Sequence, residues 1–412
     1  MHTLVTFLGK ANPEALRQHG GYRVSDYRFP DGVIRRHSFF GITLKEYLQS
    51  TSPLDRMVVL GTASSMWSVL IERLAQADED EPQRVELLER EEAGQVDEAT
   101  LRALEALVER RLGLPVALRL IDRAETDLAQ RGILQKIADA VGEGEVSIDV
   151  THGFRHLAML GLVSGQMLSR ARGVRLAGLW YGAGDMTDPQ TRQTPVLRLD
   201  GLVAIQRWVE AIAAFDASGD YGVFAPLFEQ EGIPATTARM LETAAWQEHV
   251  LNVADAGRSL RSFLGKLPGH WPGAAGLFQQ KLLKRLAWIQ QSGLAQQQYA
   301  LAERALGRQD AHRAALLIRE GLITAYCQQH RLVASETVER NRAASELEAD
   351  LDEGLWTREV RDSIRDLRQI RNALAHGARP TNPRIRQLME GRKMLLDALR
   401  KILQALRAQL HT

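Results

Sequence analysis

Val146-Ser147-Ile148-Asp149-Val150-Thr151-His152-Gly153-Phe154 reads as a strand that stops on a hydroxyl, an imidazole and a glycine before a helix begins. The helical pattern runs from Phe154 to Arg170, and a second apolar strand follows at Val174 to Trp180. Strand, glycine turn, helix, strand is the repeating unit of a parallel α/β sheet. Upstream the unit recurs. Strand-like runs at Leu4 to Leu8, Met57 to Leu60 and Val116 to Ile121 are apolar at most positions, as strands covered on both faces are. Helical stretches at Ser65 to Ala77, Glu98 to Leu112 and Thr126 to Val141 lie between them. A hairpin interrupts the alternation, with Tyr22 to Phe29 and Val33 to Phe40 flanking Pro30-Asp31-Gly32. The expectation is a doubly wound, Rossmann-like α/β domain over residues 1–199.

Beyond Asp200 the strand signal stops. Helical periodicity then covers Leu202 to Phe215, Ala238 to Leu264, Leu277 to Leu306, Ala311 to His330, Trp356 to His376 and Arg384 to Gln409. Breaks fall at Gly219 to Gly222 and at Gly265 to Gly276. These divide the all-α part into a linker or subdomain at 200–276 and a helical domain at 277–412, in keeping with the two or three domains that 412 residues suggest.

Composition excludes several classes. No run of eighteen apolar residues occurs, and Met1 to Gly9 reads as a strand rather than a basic segment before a cleavable apolar one, so no membrane partner and a cytoplasmic location are expected. The single cysteine, Cys327, cannot build a disulfide framework or a thiolate zinc cluster within one chain. His152 and His156 sit four apart like a zinc pair, but no third ligand accompanies them, and neither a metal nor a cofactor is expected. The formal charge of +1 gives no overall basic footprint. Charge is unevenly placed: residues 76–100 hold ten carboxylates against two arginines, and residues 351–412 hold thirteen Lys and Arg against seven Asp and Glu. A polyanion is drawn to the C-terminal end.

Two places carry chemistry. In an open parallel sheet, ligands bind beyond the carboxyl ends of the strands. Three such ends here carry small or polar residues: Gly9-Lys10-Ala11-Asn12, Gly61-Thr62-Ala63-Ser64-Ser65 and Thr151-His152-Gly153. Glycines permit close backbone approach, hydroxyls and helix N-termini suit phosphate or ribose oxygens, and Lys10 adds charge. They describe a nucleotide-sized pocket without a Walker loop or a G-x-G-x-x-G fingerprint. The competing structural role makes Ser64, Ser65 and Thr151 helix caps and Gly9 and Gly153 turn residues.

The second place is Arg371-Asn372-Ala373-Leu374-Ala375-His376-Gly377. With 44 Arg and 11 His, an Arg-x-x-x-x-His spacing arises about once by chance. Asn372, one of five asparagines, makes it informative. Ile364, Leu367, Ile370 and Leu374 form a buried stripe, Asn372 and His376 share a face, and Gly377 with Pro380 ends the helix at the histidine. His376 is then placed as general acid or base in attack of a ribose 2′-OH on the adjacent phosphate, Arg371 as the cation for the phosphorane, and Asn372 as the orienting residue. A 2′,3′-cyclic phosphate and a 5′-hydroxyl result, without a metal. One such set leaves a second proton-transfer role unfilled, which a homodimer supplies. The competing role is a surface ion pair of Arg371 with Asp362 or Asp366.

Asp149-x-Thr151-His152-Gly153 resembles the signature of CRISPR-associated proteins named for a D-x-T-H-G motif, which join a CRISPR-associated Rossmann fold (CARF) sensor to a C-terminal HEPN ribonuclease domain. Phe7-Leu8-Gly9, Tyr27-Arg28-Phe29, Asp31-Gly32, Phe39-Phe40-Gly41 and Leu60-Gly61-Thr62-Ala63-Ser64-Ser65-Met66-Trp67 match in order, and Arg371-Asn372-x-x-x-His376 matches at the far end. Lys10-Ala11-Asn12 departs from the smaller residues expected in the first loop. The resemblance implies a homodimer or higher oligomer whose N-terminal domains bind a cyclic oligoadenylate of four or six units through Gly9, Lys10, Ala11, Asn12, Thr62, Ser64, Ser65, Thr151, His152 and Gly153. It implies a HEPN endoribonuclease at 277–412 that cuts single-stranded RNA in type III CRISPR antiviral defence. Two alternatives stand beside it: a sensor whose helical domain binds a partner without cutting, and a ring nuclease acting in the N-terminal pocket.

Overall fold

Leu4 and Leu8 face one hydrophobic core and Val5 and Phe7 another, so the first strand is buried on both sides and its neighbours must carry helices on both. The computed structural model describes residues 1–10, 23–71, 81–354, 356–377 and 379–409. The chain splits into two compact units, Met1–Val203 and Ala204–Thr412. The first is an α/β sheet unit and the second is helical.

The strands of the first unit are β1 (His2–Phe7), β2 (Ser25–Arg28), β3 (Ile34–His37), β4 (Arg56–Gly61), β5 (Val116–Leu120), β6 (Glu145–Asp149), β7 (Arg175–Gly182) and β8 (Gln193–Arg198). They form one sheet in the order β3-β2-β8-β7-β6-β1-β4-β5. Pairs from β7 through β6, β1 and β4 to β5 are parallel. The helices are α1 (Phe40–Thr51), α2 (Glu81–Ala93), α3 (Glu98–Leu112), α4 (Asp127–Ala140) and α5 (Arg155–Arg172). Leu44 and Leu48 of α1, Leu87 of α2 and Leu101 and Val108 of α3 cover one face; Ile133 and Ile137 of α4 and Leu157 and Leu168 of α5 cover the other. Strand β1 lies between β6 and β4, with Thr6 opposite Asp149 and Phe7 opposite Leu60. The carboxyl ends of β1, β4 and β6 therefore lie abreast, where connections leave in opposite directions.

Three local expectations are corrected. Pairing of the second hairpin strand stops at His37, and Phe40 opens α1. The Phe39 N–H donates to His37 Nδ1 at 2.9 Å and the Phe40 N–H to His152 Nε2 at 3.2 Å, so both amides leave the ladder to begin a helix. The expected helix at Ser65 opens as a short 3-10 turn, Trp67–Leu70, because the Trp67 indole N–H donates back to the Thr62 carbonyl at 3.0 Å; residues 72–77 of that expectation lie outside the described residues. Strand β8, after the last strand expected from the sequence, joins the hairpin to the parallel part of the sheet by pairing antiparallel to β7 and parallel to β2.

The second unit begins within α6 (Asp200–Ser218) and continues with α7 (Ala225–Gln230), α8 (Ala235–His249), α9 (Val253–Lys266), α10 (Gly273–Leu286), α11 (Leu294–Gly307), α12 (Ala311–Gln329), α13 (Thr337–Glu353), α14 (Arg358–His376), α15 (Pro383–Glu390) and α16 (Arg392–Gln409). One hydrophobic core runs from Trp208 to Leu406. The single long helix expected over Ala238 to Leu264 is two: Leu251 takes a φ of 64° and Asn252 caps α9 by accepting the Asp255 N–H. The stretch Leu277 to Leu306 breaks after a 3-10 turn at Ala287–Gln290, and Arg384 to Gln409 breaks at Gly391. Cys327 is buried on α12. No helix among the described residues is long and apolar enough to cross a membrane.

Candidate functional site

At the sheet edge the chain ends of β1, β4 and β6 are bound together by their own polar groups. Asp149, fully buried, accepts the Thr6 hydroxyl at 2.6 Å and the Thr151 N–H at 2.8 Å. Burial pushes its carboxyl up to about 6, against the lowering effect of the hydrogen bonds from Thr151 and Thr6. The Thr151 hydroxyl in turn accepts the Gly182 N–H from β7 at 2.8 Å. His152 accepts the Phe40 N–H on Nε2, which caps the first turn of α1, and its ring packs 5.3 Å from that of Phe39. Burial pushes the imidazole down to about 4. At neutral pH the ring is therefore uncharged, with its proton on Nδ1. Gly153 has a φ of 94°, and an added Cβ meets Leu157 Cδ1 at 3.1 Å. Only glycine turns the chain from β6 into α5 here.

The β4 loop is equally self-bound. Ser65 Oγ accepts the Thr62 N–H at 2.8 Å and donates to the Leu8 carbonyl at 3.1 Å, which ties β4 to β1. Ser64 Oγ lies 3.5 Å from the Thr62 hydroxyl. The Gly9 carbonyl accepts the Met66 N–H at 3.1 Å, and Lys10 is exposed beside it. Ala11 and Asn12 lie outside the described residues.

Two hollows lie at this edge among the described residues. One of 400 Å³ brings Thr62, Ala63 and Ser64 to Asp122, Arg123 and Lys136. The other, of 310 Å³, brings Thr151 and His152 to Arg23, Ser25, Tyr181 and Asp185. Arg23, Arg123, Lys136 and Tyr181 escaped the sequence reading because they follow or precede other elements; position after β5 marks Arg123, but nothing local marks the rest. His152 and His156 do not converge, since His156 Nε2 lies 2.9 Å from the Arg123 carbonyl.

The C-terminal set sits at the end of α14. Thr357 caps the helix by accepting the Val360 N–H, and Val360, Ile364, Leu367, Ile370 and Ala373 are buried. Leu374 is half-buried against the same core. Spacing places Arg361, Arg365, Arg368, Asn372 and His376 along one flank, with Arg371 beside it, and Glu359, Asp362 and Asp366 along the other. His376 is the last helical residue and is exposed, and Gly377 follows with a φ of 61°. Arg371 Nη1 donates to Asn372 Oδ1 at 2.8 Å. The two carboxylates that might have held Arg371 are engaged elsewhere: Asp366 with Arg384 at 2.9 Å, and Asp362 with Arg358 at 4.0 Å. A 770 Å³ hollow on the acidic flank, lined by Asp362, Asp366, Arg384 and Lys401, contains none of the three candidate residues. The set therefore presents a cation, an amide and an imidazole on an open surface.

No family model matches the chain. The chain is similar in sequence to a CRISPR-associated protein. That relative is CRISPR-associated protein MJ1674 of Methanocaldococcus jannaschii, 22% identical over 243 residues, a match covering 54% of this chain and 37% of the relative. The matched part is little more than a third of the relative's length.

Proposed function

We propose that the chain is a cyclic-oligoadenylate-activated, metal-independent endoribonuclease of the CARF–HEPN kind, acting on single-stranded RNA in type III CRISPR defence. The observation that carries this reading is the open end of α14, where His376 closes the helix and Arg371 is held by Asn372 rather than by a carboxylate. His376 takes the 2′-OH proton or protonates the leaving 5′-oxygen, and Arg371 holds the charge that develops on the phosphorane. A second His376, from a second copy related by a two-fold axis, performs the other transfer. In the sensor unit Arg23, which lines one hollow with Thr151 and His152, and Lys10 supply charge to the ring phosphates. The activator is a cyclic tetra- or hexa-adenylate, and its binding biases the helical dimer toward the aligned geometry.

Ring cleavage by His152 is the weaker reading. Its Nε2 is occupied by the Phe40 amide and its pKa lies far below neutrality, so it neither donates a proton there nor carries charge at pH 7. Cleavage of a fluorescent single-stranded RNA in EDTA, with and without cyclic tetra- or hexa-adenylate, tests the proposal. Activator-dependent cutting that disappears in His376→Ala is expected; a His376→Ala chain that cuts like the parent overturns it.

A further inference from the structure

Arg319 lies on α12, the helix against which α14 packs, and is half-buried. Its Nη1 is buried and finds no hydrogen-bond partner among the described residues. A buried guanidinium N–H without an acceptor is costly and marks a site waiting for one. The surroundings are cationic. Glu320, the next residue, is bonded to Arg340, and Glu348 on α13 is bonded to Arg368 at 2.6 Å. Burial is the largest influence on the Arg319 guanidinium and disfavours its charge; Glu348 and Glu320 favour that charge, and Arg371 and Arg368 disfavour it. The guanidinium groups of Arg319, Arg368 and Arg371 thus lie near one another, with Glu348 paired to Arg368 and Glu320 paired to Arg340. An added anion relieves the repulsion among these cations, and guanidinium forks match phosphate oxygens.

We propose that Arg319 and Arg368 form a phosphate subsite beside Arg371, taking the backbone phosphate of a nucleotide next to the scissile one in the RNA chain. The inference rests on the ribonuclease reading and deepens it. Arg319 contacts phosphate from α12 while Arg371 and His376 act from α14, so the strand lies across the two helices. Glu348 is the counter-ion that phosphate displaces: it holds Arg368 in the absence of RNA and competes with the incoming oxygens.

The test uses the full chain carrying His376→Ala, so that RNA is bound and not consumed, with a fluorescein-labelled single-stranded RNA followed by anisotropy across a salt series. Arg319→Gln is expected to weaken binding about five- to tenfold and to flatten the salt dependence by ~0.7 in log–log slope, the loss of one phosphate contact. Arg319→Lys retains the slope. Glu348→Gln tightens binding about two- to fivefold, an outcome that a merely structural Arg319–Glu348 pair does not give. In the active parent, Arg319→Gln raises KM with kcat kept. Arg319→Gln with parental affinity and slope overturns the subsite, as does a Glu348→Gln chain that binds more weakly. Those results leave the ribonuclease reading standing if the parent cuts RNA and His376→Ala does not; a parent that neither binds nor cuts RNA overturns both.

Discussion

His152 and His376 each stand next to a glycine with positive φ, yet the two rings live in opposite conditions. His152 is half-buried, capped onto an amide and held neutral, and its neighbours Thr151, Asp149 and Thr6 form a closed chain of hydrogen bonds. His376 is exposed at a helix end, next to an arginine that is bonded to its own neighbour. The sheet edge is complete before anything binds. Under the proposed function the helix end is a half-site that a second copy completes. A sensor gains from preorganisation, since less ordering cost is met on binding, whereas an enzyme controlled by assembly gains from a site that is incomplete in one chain.

The contrast is broken most directly by exchanging the two histidines' fates. His376→Ala is expected to lower RNA cleavage by about 10²- to 10⁴-fold, the usual contribution of a positioned acid or base, with melting unchanged within about 0.5 kcal/mol as for other exposed sites. His152→Ala leaves the Phe40 N–H without its acceptor, so it is expected to cost about 1–3 kcal/mol of stability, seen as a lower melting temperature of the α/β unit. A stable His152→Ala chain alongside a destabilised His376→Ala chain would invert the comparison.

Stability against pH sharpens it further. The Asp149 carboxyl sits at about 6 in the fold against an ordinary 3.8, so the native state holds that proton more tightly and the contribution is lost as pH rises from about 4 to about 6. The His152 ring sits at about 4 against an ordinary 6.5, so its contribution is complete above 6.5 and is lost as pH falls toward 4. Each effect amounts to about 3 kcal/mol, and the two oppose each other in the same window. The parent is therefore expected to have nearly level stability between pH 4 and 6.5. Asp149→Asn should grow more stable as pH rises through that range, and His152→Asn less stable, both read from urea midpoints. Parallel curves for the two variants would show that neither group titrates as the buried network requires.

How far the sequence reveals these features depends on where each one's cause lies. β1, β4 and β5 are legible because burial on both faces leaves a local apolar record, and Gly153 and Gly377 because a turn leaves one too. α1 was not, since Phe39 and Phe40 continue the hairpin's pattern and the acceptor that turns them into a helix start, His152, lies 112 residues away. Leu251 hides a helix break because an apolar residue in a left-handed conformation looks like any other core position. At the candidate sites, the Arg371, Asn372 and His376 spacing is local and readable. Arg319 is not: only packing of α12 on α14 brings it to Arg371, and in so arginine-rich a chain no pattern distinguishes it.

The glycines give the smallest and most discriminating test. At Gly153 a φ of 94° combines with Leu157 Cδ1 only 3.1 Å from an added Cβ, so Gly153→Ala is both strained and crowded and is expected to cost about 2 kcal/mol. At Gly377 the φ of 61° is ordinary left-handed backbone, and nothing lies within 4 Å of an added Cβ. Gly377→Ala should therefore cost only about 1 kcal/mol, and Gly377→Asn a few tenths, because asparagine tolerates this conformation. If the open end of α14 is completed by a second copy, Gly377→Asn should keep its melting temperature and yet cut RNA more slowly, since the new side chain stands where the other half-site must approach. An unchanged rate would place that approach on the arginine flank of α14 rather than over its end.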